Sequence, residues 1–271
     1  MSDTAIRAQS PVKTAAKYLR LGGGILIVLA LASWVLFTNT ALLPSIVGKF
    51  GASADAIAGA RSLAAAMRDA LGPLIPTAYY VGAIAVGLGA IMDPLGYTHD
   101  IDIVNEKFGG VCNWLVLFAC LVSAGNAMVR YAYDISSNAW LELQWYMFAV
   151  MIMFGASYTL KRNEHVRVDL IYIIVGRRGQ LWIDILGTLV FLLPACAILA
   201  WLSWPFFQQS YLVLEHSSNA GGLLRWPIKL VMPIGFTLIA LQGISELIKR
   251  VAFLNNIPVE SLEAHYERPT Q

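Results

Sequence analysis

Charge is what this sequence has least of. Charged residues are 13% of its 271, against roughly 25% in a typical soluble domain. The apolar residues, 58% of the chain, come in long unbroken blocks with a mean hydropathy of +0.63. A large soluble core does not need such blocks, so that class is excluded. Short alternating strands are missing too, which excludes a membrane β-barrel. The net charge of +2 is too small for a nucleic-acid surface. Cysteines number three, all in apolar runs. Cys112 and Cys120 share one predicted helix about 12 Å apart, too far to bridge, so small packed or lipid-facing hydrophobes are the better account of them. No nucleophile elbow, phosphate loop or Cys-x-x-Cys pair occurs. Gly22-Gly23-Gly24 is not followed by Lys-Ser/Thr, so it reads as a flexible or close-packing helix entry. Catalysis has no visible machinery, and no cofactor or metal is expected. What remains is an all-α polytopic membrane protein.

Hydropathy divides the chain into six spans of a length suited to a bilayer. A polar, basic segment covers 1–20. An N-terminal extension, 21–109, holds two spans at about 21–43 and 74–92. The first is too long for a signal-peptide core and no clear cleavage site closes it. Between the two, Ser53 or Asp55 is placed to cap a short helix ending at Leu71, before Gly72-Pro73. The second span carries Gly82, Gly87 and Gly89, small residues that let helices approach closely. Residues 93–110 read as a solvated connector. His99, Asp100 and Asp102 lie together in it, but one cluster of hard ligands is a weak metal signal. A core of four spans follows over 110–253, at about 111–133, 140–160, 181–204 and 227–252, and a loosely ordered tail over 254–271.

The stretch Trp140–Leu170 sets an orientation. A spanning run is followed by Lys161 and Arg162. Next comes an amphipathic segment, 164–175, with Val166, Leu170, Ile173 and Ile174 on one side. Basic residues collect in the cytoplasm, so this junction and both termini are expected there. On that topology thirteen of the nineteen basic residues fall inside and six outside. Trp34, Trp140, Trp201, Trp204 and Trp226 then fall near outer span ends, where interfacial tryptophans belong.

Polar groups inside spans are costly and so informative. Arg130 and Glu142 flank a short turn, where an ion pair within the hairpin or a contact with a partner protein would account for them. Asn113, Asn126 and Gln144 are suited to bonding across helices. Asp184 is expected to pair with Arg177 or Arg178. Gln242, Glu246, Lys249 and Arg250 have the spacing of ordinary end-of-helix pairs. His165 and Asp169 are spaced i,i+4, but no second ligand cluster answers them. On these grounds alone a small carrier and a scaffold subunit of a larger one stay level.

Three motifs go further. They are the hairpin with Arg130 and Trp140-Leu-Glu142, the run FGASYTLKRNEHVRVDL at 154–170, and Glu215-His-Ser217 with Gly221-Gly222 and RWPIKLVMPIGF at 225–236. From about Gly110 to Arg250 the chain resembles the small membrane subunit of tripartite ATP-independent periplasmic (TRAP) transporters, in the longer form with an N-terminal extension. The resemblance implies the four-helix core of that subunit, two added N-terminal helices and an amphipathic helix at the cytoplasmic interface. It also implies a role. A periplasmic solute-binding protein delivers a solute, commonly an organic acid, to a large sodium-coupled permease subunit that moves like an elevator, and the small subunit braces it in the inner membrane. No residue of this chain is then expected to bind substrate. Glu164, His165, Arg167 and Asp169 are expected to fix the interfacial helix. Arg130, Glu142 and the loop carrying Glu215, with Trp226 and Lys229 beside it, are interface or structural candidates near the docking surface. Two rivals are a stand-alone carrier or channel and a membrane enzyme using His165 or His99 with a metal.

Overall fold

The computed structural model describes residues 11–37, 42–49, 51, 53–135, 137–164 and 174–259. Among these the chain is helical except for turns and one isolated antiparallel residue pair, His216 with Leu224. The helices are α1 (Pro11–Phe37), α2 (Leu42–Lys49), α3 (Ala54–Leu71), α4 (Leu74–Met92), α5 (Pro94–Tyr133), α6 (Asn138–Arg162), α7 (Arg177–Gly187), α8 (Leu193–Leu212) and α9 (Trp226–Leu254). A π-helical turn, Thr188–Leu192, joins α7 to α8, so the two run on as one 36-residue span. Six helical segments are long and apolar enough to cross a membrane. The amphipathic segment expected at 164–175, with His165, Arg167 and Asp169, lies almost wholly outside the described residues, as do the first ten residues and the tail from 260 onward.

The chain forms two compact units, Met1–Tyr97 and Thr98–Gln271. In the first, α1 packs on α4 along a seam of small residues. A Cβ on Gly23 would lie 2.5 Å from the Gly82 carbonyl oxygen, and one on Gly82 would lie 2.7 Å from that of Gly23. Backbone therefore touches backbone, which only glycine permits. Gly22, Gly24 and Gly87 face open space, so each glycine cluster contributes only part of the seam. One turn pair further, Gly89 meets Ala16 and the stem of Arg20. The buried Arg20 guanidinium donates to the carbonyls of Gly89 (3.1 Å) and Asp93 (3.2 Å) and lies 3.6 Å from the Asp93 carboxylate. A charge inside a span is held only with such partners. Helix α3 begins as its sequence predicts, with the Ser53 hydroxyl accepting from the Ala56 amide.

In the second unit, α6, α7 and α8 pack on α9. Gly235 lets α9 approach the Met153 backbone of α6, and Gly243 sits against Leu192, Leu193 and Thr188 at the π-helical turn. Helix α6 stops at Asn163, which takes a left-handed conformation (φ 55°) while Glu164 N–H reaches back to the Thr159 carbonyl. Asparagine tolerates that conformation, and the bond satisfies a terminal carbonyl.

Two expectations are corrected here. Residues 94–110 are not a loop but the first turns of α5. Asp102, Asn105 and Glu106 share one face by their i,i+3,i+4 spacing, and that face is occupied by partners from other helices. The span expected to end near Trp204 continues through Pro205 to Leu212. The aromatic side chains Phe207 and Tyr211, fully buried, hold the added turns in place, stacked on each other and, for Tyr211, edge-on to Trp226 at 5.3 Å.

Candidate functional site: two polar locks in the helical unit

Polar side chains within Thr98–Gln271 gather at two places, near the start and near the end of α9. Their centres, around Lys229 and Glu246, are about 25 Å apart along that helix at its 1.5 Å rise.

The first place is built on Glu142, in the second turn of α6. The residue is 5% exposed. Its Oε1 accepts from the Ser217 hydroxyl and from the Asn219 side-chain amide at 2.9 Å, and its Oε2 accepts from the Leu223 backbone N–H at 2.7 Å. The loop 213–225 thus folds around one carboxylate. Its local geometry explains the paired glycines. Gly221 has φ 72°, a conformation that costs glycine nothing. A Cβ on Gly222 would fall 2.9 Å from Glu142 Oε1, so the loop closes on the carboxylate only if that residue has no side chain. Backbone bonds from Ser217 N–H to the Leu223 carbonyl and from Arg225 N–H to the Glu215 carbonyl complete a small hairpin. Two further bonds tie it to α6. Asn138 donates to the Ala220 carbonyl and the Tyr146 hydroxyl to that of Leu224, both at 3.0 Å.

Glu215 anchors the same loop to α9 through Lys229, with Arg225 3.7 Å away. The bond from Lys229 holds its carboxyl below the ordinary carboxylate range, and the charges of Lys229 and Arg225 add to this. The Lys229 ammonium also lies over the Phe206 ring, 4.1 Å from its centroid. Arg130 is exposed and makes no ion pair among the described residues. Of the two readings of Arg130 and Glu142, the ion pair within the hairpin is therefore not formed. Hydrogen bonds from a loop about eighty residues away satisfy Glu142 instead, and spacing across the α5–α6 turn carries no signal of that.

The second place is a network between α5, α7 and α9. Lys249 Nζ sits 2.6 Å from Asp102 Oδ2 and 2.9 Å from Glu246 Oε1. Gln242 donates to Asp102 (3.0 Å) and Glu246 (3.2 Å) and accepts from Asn105 at 2.6 Å. The Ser245 hydroxyl donates to Asp102 at 3.3 Å. Arg250 joins Glu246 at 2.8 Å to Asp184 at 3.3 Å. The Asp184 side chain thus turns to Arg250 of α9, not to the neighbouring Arg177 or Arg178. The i,i+3 and i,i+4 pairs of α9 are present, yet they serve as a hub for two other helices. At the rim Lys161, in the last turn of α6, reaches the Asp102 carbonyl (3.0 Å) and Glu106 (3.1 Å). Asp102 and Asn105 lie some 140 positions from Gln242, a separation that spacing along one helix does not reveal. Their regular spacing on one face of each helix was the available clue.

Chemically, neither place presents an unpaired nucleophile or an acid–base pair facing an open cleft. Each carboxylate is engaged by donors from another helix or loop. A multi-pass helical membrane protein whose buried carboxylates are held by its own donors is the class these features define. The sequence model of the DctQ component of tripartite ATP-independent periplasmic transporters matches residues 118–253, half of the chain, and the chain belongs to that family of TRAP small permease subunits. No curated protein and no solved structure matches it.

Proposed function

We propose that this chain braces the large permease subunit of a TRAP transporter in the inner membrane, for sodium-coupled uptake of an organic acid or related solute delivered by a periplasmic binding protein. The observation that carries the reading is the pairing of the two locks. A partner that moves solute by sliding needs a counterpart that does not deform. Loop 213–225 is tied to α6 and α9 through Glu142 and Glu215, and α9 is tied to α5 and α7 through Lys249 and Arg250. Interhelical polar bonds of this kind fix register within a membrane. A broad apolar exterior supports a lateral partner as well. It includes an open groove of about 500 Å³ lined by Met151, Ile152, Gly155, Ala156, Leu192 and Ile239, among others.

The basic bias favours both termini on the cytoplasmic side, which puts loop 213–225 and Arg130 in the periplasm, near where the binding protein docks. Glu164, His165, Arg167 and Asp169 hold the interfacial segment on the opposite face. Single-cysteine labelling at position 219 from the periplasmic side tests this orientation, and labelling only after the membrane is opened would reverse it. The function itself is tested by recovering the tagged chain from native membranes in mild detergent. A polytopic partner of about a dozen spans at one-to-one ratio is expected. Recovery as a homo-oligomer that transports solute alone in proteoliposomes would replace the brace with a stand-alone carrier.

A further inference from the structure

Arg177 and Arg178 open helix α7, at the end of the span Arg177–Leu212. Beside them α9 ends. Its chain reverses at Asn256, in the left-handed region at φ 57°, where Asn256 N–H bonds the Phe253 carbonyl and Ile257 N–H the Ala252 carbonyl. This turn carries Ile257 and Pro258 back toward the first turn of α7. The result is a cleft of about 310 Å³ lined by both arginines, Leu181, Phe253, Ile257 and Pro258. The arginines and Asn256 make one side polar, and Leu181, Phe253, Ile257 and Pro258 make the other apolar.

Among the described residues no carboxylate pairs with either arginine. Arg177 stacks over Phe253, 4.8 Å from the ring centroid, a contact that orients the guanidinium without cancelling its charge. Asp184, the acid expected to pair with them, is taken by Arg250. Two exposed guanidinium groups therefore flank a cavity at the terminus of two membrane spans, the depth at which lipid phosphates lie. Guanidinium forks match phosphate oxygens in pairs. Just beyond the cleft, Trp182 and Leu186 of α7 and Val251 of α9 present exposed apolar surface, the footing that acyl chains need. Basic pockets between transmembrane helices are a known mode of anionic headgroup recognition. We propose that this cleft is a binding site for the phosphate headgroup of an anionic phospholipid, with Arg177 and Arg178 as its ligands.

Native mass spectrometry of the full chain in detergent tests the site. The protein is titrated with phosphatidylglycerol or with phosphatidylcholine of the same acyl chains. One phosphatidylglycerol is expected to be retained at concentrations that leave phosphatidylcholine unbound. Arg177→Gln/Arg178→Gln should weaken that retention about 25-fold, since each basic residue near an anionic surface contributes about fivefold. Arg177→Lys/Arg178→Lys should restore only part of it, since an ammonium supplies the charge without the fork. The single variant Arg178→Gln, at an exposed side chain, serves should the double variant not fold, and is expected to give a smaller loss. Equal retention of the two lipids by the unaltered protein would overturn the proposal, as would full retention by the glutamine variants. Displacement of the lipid by millimolar inorganic phosphate would overturn it in favour of a free-anion site.

Discussion

Replacing Lys249 by methionine tests the lock between α5 and α9. The ammonium bridges Asp102 and Glu246 at 2.6 and 2.9 Å, and its side chain is 6% exposed. Methionine keeps most of the volume and removes the charge. Glu246 retains Arg250 at 2.8 Å. Asp102 is left with the neutral donors Gln242 and Ser245. Removing one member of a buried pair costs about 3–5 kcal/mol, because the other charge stays uncompensated. Asp102 is 20% exposed on its side chain and keeps some water, which places the loss near the lower figure, about 3 kcal/mol. Asp102→Asn is milder, since Glu246 still holds the ammonium, and should cost about 1–2 kcal/mol. In the double variant neither group is stranded, so its cost should fall short of the sum of the singles by about 1–2 kcal/mol. The assay is unfolding in mixed micelles followed by a thiol-reactive dye. Cys120, which is exposed, is first replaced by serine, so that the signal comes from the buried Cys112 and Cys196. Additivity within about 0.5 kcal/mol would refute the lock and with it the account of α5's polar first turns.

Other outcomes follow from the same contacts. Arg130→Ala should abolish or strongly reduce solute uptake while the complex still assembles; normal uptake would remove this position from the docking surface. Glu142 is a poorer probe of docking, because Glu142→Ala should first loosen loop 213–225, seen as faster amide exchange at Leu223. Glu215 is held below the ordinary carboxylate value of 4.5. Its anchor to Lys229 should therefore be at full strength above that pH and weaken as pH falls through the lowered value. Amide exchange of the loop against pH reads this, and Glu215→Gln should remove the acid step. Gly82→Val should destabilise the first unit by about 1–3 kcal/mol, since its Cβ would meet Gly23 O and Ile27. Gly22→Val, which meets nothing within 4 Å, should leave the melting temperature close to the parent's.

The family motifs were readable as words before their meaning was. Glu142, Glu215, Ser217, Gly221-Gly222 and Lys229 stand in three separated stretches of sequence. Their roles emerged only when α6, the loop and α9 met, with Gly222 leaving room for the very carboxylate that Ser217 and Leu223 bind. Spacing across the hairpin allowed either an ion pair between Arg130 and Glu142 or a contact with a partner protein, and the ion pair is not formed. Closeness along a hairpin limits which groups are able to meet, whereas the nearest donors of suitable geometry decide which do. Asp184 gives the same lesson, paired with Arg250 instead of its sequence neighbours.

The sequence by itself determined the class, the number of spans and where each basic cluster falls. Those properties are local, because a run of apolar side chains partitions into a bilayer whatever surrounds it, and a helix satisfies its own backbone there. It also offered Ser53 or Asp55 as the cap of a short helix and Gly82, Gly87 and Gly89 as packing points, of which the structure uses Ser53, Gly82 and Gly89. The tertiary structure decided the rest. It turned residues 94–110 from a polar connector into helix, carried α8 past Pro205, and chose which of several eligible charges each buried carboxylate would face. Such choices depend on groups some 80 to 140 residues apart reaching hydrogen-bonding distance, and a side chain's cost of burial is known only once those partners are in place.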